Sequence, residues 1–211
     1  MRTGMIEQDS GSGRYLLGSY ALDVGLSALG RLDPVRLAGH ILENLCEDIQ
    51  ETVALAVWGN RGATIVRIFD SGAPITITLR AGTVLPLCKS ATGQAFAAFF
   101  RSPFLKQMLD QELREISEGS KIAITAARRQ LEKTLTEIRR HGISRASGSL
   151  TPGINGFSAP VFDHSGMMVA AITSLGAVGE FSVEWDSPVA KAMLAAAGDL
   201  SRKLGFNRPQ R

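Results

Sequence analysis

Residues 152–176 read Pro-Gly-Ile-Asn-Gly-Phe-Ser-Ala-Pro-Val-Phe-Asp-His-Ser-Gly-Met-Met-Val-Ala-Ala-Ile-Thr-Ser-Leu-Gly, and no other stretch constrains the fold as strongly. One apolar run ends in Ala159-Pro160-Val161-Phe162 and a second covers Met168 to Thr173. Between them lies Asp163-His164-Ser165-Gly166. A short Asp- and Gly-bearing connection between apolar runs predicts a β-hairpin. Neither run alternates apolar with polar residues, so both faces of the hairpin are expected to be covered. The rest of the chain must supply that cover.

Residues 1–13 are polar and glycine-rich and predict a loop or a frayed end. A helical pattern runs from Tyr15 through Leu17, Tyr20, Ala21, Val24 and Ala28, weakened by Gly18 and Gly25. Asp33-Pro34 is a helix start, with Asp33 as N-cap and Pro34 in the first turn. Leu37, Ile41, Leu45 and Ile49 then recur as a core-facing stripe. Residues 52–58 and 63–69 predict two strands joined by Gly59-Asn60-Arg61-Gly62. A third strand is expected from Ile75 to Arg80, followed by a loop from Ala81 to Lys89. Ser90 caps a helix through Phe100, Pro103 opens a short helix, and Thr125 to His141 form a long one closed by Gly142. Its inward residues are Leu131, Leu135 and Ile138. A strand near Ile143, the hairpin and an Ala-rich helix to Leu204 complete the chain. Strands arrive in hairpin-linked groups, which predicts an α+β fold with a largely antiparallel sheet.

The chain has 211 residues, 45% hydrophobic and 20% charged, enough for a substantial core. No apolar run reaches the roughly 18–20 residues that span a bilayer, and no signal pattern opens the chain. A cytoplasmic protein is expected. The net charge is +3, spread along the chain, which does not by itself indicate nucleic-acid binding. Arg128-Arg129 and Arg139-Arg140 are the densest basic clusters, read as a solvated helix face.

A catalytic reading finds little support. There is no nucleophile elbow, no phosphate-binding loop and no metal-type Cys/His spacing, and no cofactor is expected. His40, His141 and His164 are far apart in sequence and read as solvated. Cys46 reads as core. Cys88 alone has reactive potential, because it precedes a helix start and adjoins Lys89, both of which lower a thiol pKa. Its other reading is a small buried apolar residue. A binding constellation is clearer. Ser90-Ala91-Thr92-Gly93 places small residues and two hydroxyls at a helix start, where backbone N–H groups and the helix dipole favour an anion. The same residues also suit plain close packing. Gly153 and Gly156 flank Asn155 and offer close backbone approach. Thr173 can point a hydroxyl into a cavity.

Three segments, in order, resemble the IclR family of bacterial transcriptional regulators. Gly13-Arg14-Tyr15-Leu16-Leu17-Gly18 is similar to the junction after the family's winged helix-turn-helix. Leu85-Pro86-Leu87 with Ser90 to Ala95 resembles an internal family segment, and Pro152 to Gly176 resembles its C-terminal signature. The resemblance implies a GAF-like sensor fold with an effector pocket. It places Ile77, Ala91 and Thr92 on one side, by the Ser90 helix start, and Ile154, Gly156, Thr173 and Leu175 on the other. It implies 1–14 as a remnant of the winged reader, in which Met5 to Asp9 resemble the last strand of the wing, 15–32 as a linker helix and 33–211 as the effector-binding domain. The polar half departs from the family, with Gln94 in place of a lysine and Asn155 in place of an arginine or similar residue. No recognition helix stands in this sequence, as in a shortened gene product or a sensor half prepared alone.

Two functions follow as expectations. The first is a ligand-sensing, oligomerising domain, not an enzyme, that binds a small organic acid, aromatic if Ile77 and Phe157 adjoin the helix start. Such a domain acts as a homodimer or tetramer and meets DNA only through the family's N-terminal reader. The second is a stand-alone GAF-like redox enzyme using the Cys88 thiol.

Overall fold

The computed structural model describes residues 4–29, 32–72, 79–120 and 122–207. It divides into two compact units, Met1–Asp33 and Pro34–Arg211. In the first, β1 (Ile6–Gln8) pairs antiparallel with β2 (Tyr15–Leu17), and α1 spans Ser19–Leu29. Residues 6–8 form a strand, as their resemblance to the last strand of the wing implies, although their composition reads as a loop. Tyr15–Leu17 correct the sequence reading, since they pair with that strand rather than opening a helix. The Asp9 carboxylate shapes the turn by accepting from the Gly11 amide and the Ser12 hydroxyl. Helix α1 starts only after Gly18, whose amide donates to the Met5 carbonyl at 2.9 Å.

The second unit opens with α2 (Pro34–Leu37) and α3 (Gly39–Ile49), which meet at Ala38. Its buried stripe is Ala38, Leu42, Leu45 and Cys46. Of the expected stripe only Leu45 is buried, while Leu37, Ile41 and Ile49 are half-exposed. The reason is geometric, because a strict four-residue repeat drifts around a helix of 3.6 residues per turn.

Strands β3 (Thr52–Gly59) and β4 (Gly62–Phe69) form the first hairpin, with Gly59 opposite Gly62. Ile75 to Thr78, and with them Ile77, lie outside the described residues, and Leu79 and Arg80 are not in a strand. It is the expected loop that runs beside β4. The amides of Gly82 and Leu85 donate to Ile65 and Ala63, and the Ile65 amide donates to Thr83.

Then come α4 (Ala91–Phe99), α5 (Leu105–Ser120) and α6 (Ile124–His141). The helix after Pro103 is therefore long rather than short. Gly142 closes α6 at φ +74°, in the left-handed region that favours glycine. Leu131, Leu135 and Ile138 of α6 pack with Leu113 of α5 and Ala97 of α4. The basic clusters of α6 do more than face water, since Arg128 pairs with Asp110 at 2.9 Å and Arg139 donates to the Ala98 carbonyl at 3.0 Å.

Strands β5 (Ser144–Ser147), β6 (Ile154–Phe162) and β7 (Met168–Ala177) precede α7 (Pro188–Lys203). The sheet order is β4-β3-β7-β6-β5, antiparallel throughout. The chain is α+β with the GAF-like sheet the sequence predicts. Strands β6 and β7 are buried almost end to end, because α4 covers one face while α7 covers the other, and α3 packs beside α7 on β3 and β4. Pairing of Gly156 with Leu175 and Ser158 with Thr173 puts these four residues on the α4 face.

Candidate functional site

The site is built where α4 begins against the sheet. Ser90 has extended backbone, and its Oγ accepts from the Gly93 amide at 2.8 Å while donating to the Pro86 carbonyl at 2.7 Å. The cap therefore consumes the Ser90 hydroxyl, which corrects its expected role as a donor to a ligand. Gly93 must lack a side chain, because a Cβ there would collide with the Pro86 carbonyl and Leu87 backbone. The Gln94 amide is taken by the Ser90 carbonyl at 3.0 Å. Helix geometry leaves the remaining first-turn amides, those of Ala91 and Thr92, without intrahelical acceptors.

Beside this helix start lies a cavity of 460 Å³. Ser90, Ala91 and Thr92 line it from α4, and Ile154, Gly156, Thr173 and Leu175 line it from β6 and β7. Residues 90–92 thus meet residues 154–175 across a gap of more than sixty positions in sequence. Further walls that sequence reasoning missed come from Leu79, Thr83 and Leu85 and from Leu150-Thr151-Pro152. Among the described residues no ionisable side chain lines it. A Cβ at Gly156 would stand 2.7 Å from Leu175 Cδ2, the far end of a half-buried side chain that can turn aside, and 3.1 Å from the Ser174 carbonyl oxygen. Gly153 is not in the lining. It turns the chain into β6 at φ +83°, and its carbonyl accepts from the Val178 amide.

A row of buried hydroxyls fixes α4 to the sheet. Thr92 Oγ1 lies 2.8 Å from Thr173 Oγ1, which lies 2.9 Å from Ser158 Oγ. Ser144 Oγ donates to the Ala91 carbonyl. Thr173 was anticipated as a cavity hydroxyl, but its ties to Thr92 and Ser158 were not. A serine inside an apolar strand was the available signal. Phe157 points to the opposite face and packs on Phe181 with ring centroids 5.7 Å apart. It does not line the cavity, which removes it as a ground for an aromatic ligand.

Asn155 and Gln94, the two departures from the family pattern, are both buried. Asn155 Nδ2 donates to the Phe181 carbonyl and Gln94 Nε2 to the Cys88 carbonyl, each at 2.9 Å. Their side-chain oxygens have no hydrogen-bond partner among the described residues.

The thiol reading fares worse. Burial, and then the Glu112 carboxylate, push the Cys88 thiol up to about 12, and Lys89 opposes them only weakly. That carboxylate is held in place by the Leu87 and Cys88 amides at 2.8 and 2.9 Å. The helix start and Lys89, expected to activate the thiol, are outweighed. Cys46 is buried, and its Sγ donates to the Glu51 carbonyl. Of the histidines, His40 and His164 are exposed as expected. His141 is not merely solvated, since it stacks on Trp185 at 4.2 Å.

Sheet, helix start and the cavity between them together define a GAF-like α+β domain. The family profile "Bacterial transcriptional regulator IclR C-terminal" matches residues 26–202, and the chain belongs to this family. It is 36% identical to Pseudomonas aeruginosa HmgR, covering 97% of this chain and 80% of that one, with a TM-score of 0.85. The Agobacterium tumefaciens repressor BlcR shares the fold at a TM-score of 0.77 and 24% identity, with the same two coverages. In sequence the chain is 24% identical to the Bacillus subtilis HTH-type transcriptional regulator KipR over 204 residues, which is 96% of this chain and 80% of that protein.

Proposed function

We propose that this chain is the effector-binding part of an IclR-type transcriptional regulator and that its effector occupies the 460 Å³ cavity. The relatives are transcriptional regulators, not enzymes, which supports a sensing role. The observation that carries the reading is a cavity at the start of α4 that, among the described residues, no ionisable side chain lines. The preferred effector is a small organic acid with one carboxylate. Its carboxylate docks on the Ala91 and Thr92 amides, where hydrogen bonds to a charged group contribute about 1.5–3 kcal/mol each. A second buried charge would have no cationic partner in the lining and would cost several kcal/mol, roughly. Ile154 and Leu175 bury the apolar body, with Ile77 assigned to the same wall by family resemblance alone.

In the same reading, residues 33–211 sense, 15–32 link and 1–14 belong to the edge of a winged reader. Effector binding shifts a homodimer or tetramer between arrangements, and attached readers on DNA register the changed spacing. The work is cytoplasmic, where the DNA is. The test is a thermal-shift screen of small organic acids against wild type and Ala91→Leu. The leucine adds apolar volume to the cavity, so the protein stays folded. Wild type gains about 2.7 kcal/mol at a hundredfold excess over the dissociation constant, and the variant gains nothing. An equal response from both proteins places the effector elsewhere.

A further inference from the structure

A second cleft opens where the sheet runs out of strands. Strand β5 pairs only with Asn155 to Ser158 of β6, so beyond Ser158 that edge of β6 has no strand neighbour among the described residues. Pro160 stands on this open edge and offers no N–H, which discourages an added strand. The space beside it is a cleft of 890 Å³ between the C-terminal ends of α4, α6 and α7. It shares no lining residue with the effector cavity.

The floor of the cleft is aromatic. Phe162 lies 5.9 Å from Phe99 and 5.2 Å from Phe206, ring to ring, and all three line the cleft. The rim is cationic. Arg139, Arg140 and Arg202 line it, and among the described residues no acidic side chain does. Arg202 is neutralised by Asp199. Arg139 is held by the bond from its Nε to the Ala98 carbonyl, which fixes the direction of its fork. Arg140 has no hydrogen-bond or ion-pair partner among the described residues.

Arginine at the end of a helix is favourable without any ligand, because each C-terminus carries roughly half a negative charge. The three ends of α4, α6 and α7 together offset about one and a half of the two unneutralised arginines. A positive surplus of about half a charge remains. Helix capping also gives no reason for an aromatic floor between these ends. The volume falls in the range of small-molecule sites, roughly 300–1,000 Å³. Guanidinium forks over an apolar floor match one kind of ligand, an anionic head on an apolar body.

We propose that this cleft binds a small amphipathic anion, with a carboxylate, sulfonate or phosphate head against Arg139 and Arg140 and a ring or short acyl body on Phe99, Phe162 and Phe206. It is a second ligand site, and it stands whether or not the effector cavity is occupied.

The experiment uses two fluorescent probes of similar body, the anionic 8-anilinonaphthalene-1-sulfonate and the neutral N-phenyl-1-naphthylamine. Each is titrated into wild type, Arg140→Gln, Arg140→Glu and Ala91→Leu. Arg140 is exposed, so its variants keep the fold, and circular dichroism checks this. The expected result is that Arg140→Glu weakens the anionic probe by about tenfold or more, with Arg140→Gln intermediate. The neutral probe is unchanged by either, and Ala91→Leu alters neither probe. Equal affinity of the anionic probe for wild type and both Arg140 variants overturns the proposal. So does loss of that probe in Ala91→Leu, which would put it in the effector cavity instead.

Discussion

Single residues decide between the two functions the sequence left open. A thiol pushed up to about 12 is protonated at neutral pH, so Cys88 is a poor nucleophile. Iodoacetamide at pH 7.5, followed by mass spectrometry of the intact protein, should leave Cys88 unmodified while a denatured control reacts fully. Rapid labelling of the native protein would revive the redox reading. The sign of the linkage is definite. The folded state holds the proton more tightly than the unfolded chain, whose thiol titrates near 9. Stability from this group is intact below pH 9 and declines as pH rises from there toward 12. Thr173 makes a second residue-scale prediction. Thr173→Val keeps the shape but leaves the Thr92 and Ser158 hydroxyls without their shared partner. A loss of about 1–3 kcal/mol in urea unfolding is expected, with Thr173→Ser close to wild type. An unchanged midpoint for the valine variant would mean that the row contributes nothing.

Elements were legible wherever their signals were local. The hairpin of residues 152–176, the Ser90 cap and the Gly142 stop could be read because a turn, a cap and a C-cap each use a few adjacent residues. Strand β2 was not, because Tyr15–Leu17 looks helical until Ile6–Gln8 are brought alongside. The strand-like path of Gly82–Leu85 was missed for the same reason, as its partner is β4. Helix α1 bears on assembly. Its Tyr20, Leu22, Val24 and Leu26 are all exposed and apolar. They fall on more than one side of the helix, and an apolar helix of that kind is normally covered. Sedimentation at micromolar concentration should show a dimer or larger species, shifted toward monomer in Leu22→Glu. A wild-type protein that sediments only as monomer refutes contacts through α1.

At the scale of the whole molecule, a net charge of only +3 gives little hold on DNA. Gel shifts with this chain alone should give weak complexes, indifferent to sequence and lost as salt rises. Tight binding to one operator would overturn that expectation. The cavity was legible in outline, since the resemblance named six residues that the fold brings together around it, beside the Ser90 cap read from the residues themselves. Its chemistry was less so, because a sequence does not reveal which hydroxyls are already engaged. Ser90 is spent on its own helix, while Thr92, Thr173 and Ser158 are tied to one another. That last row has a consequence in protons. Three hydroxyls bring three hydrogens, and two links use two of them. A ligand oxygen beside Thr92 takes the third, and in doing so sets the direction of both links, so the polarity of a guest in the cavity is written into the joint between helix and sheet.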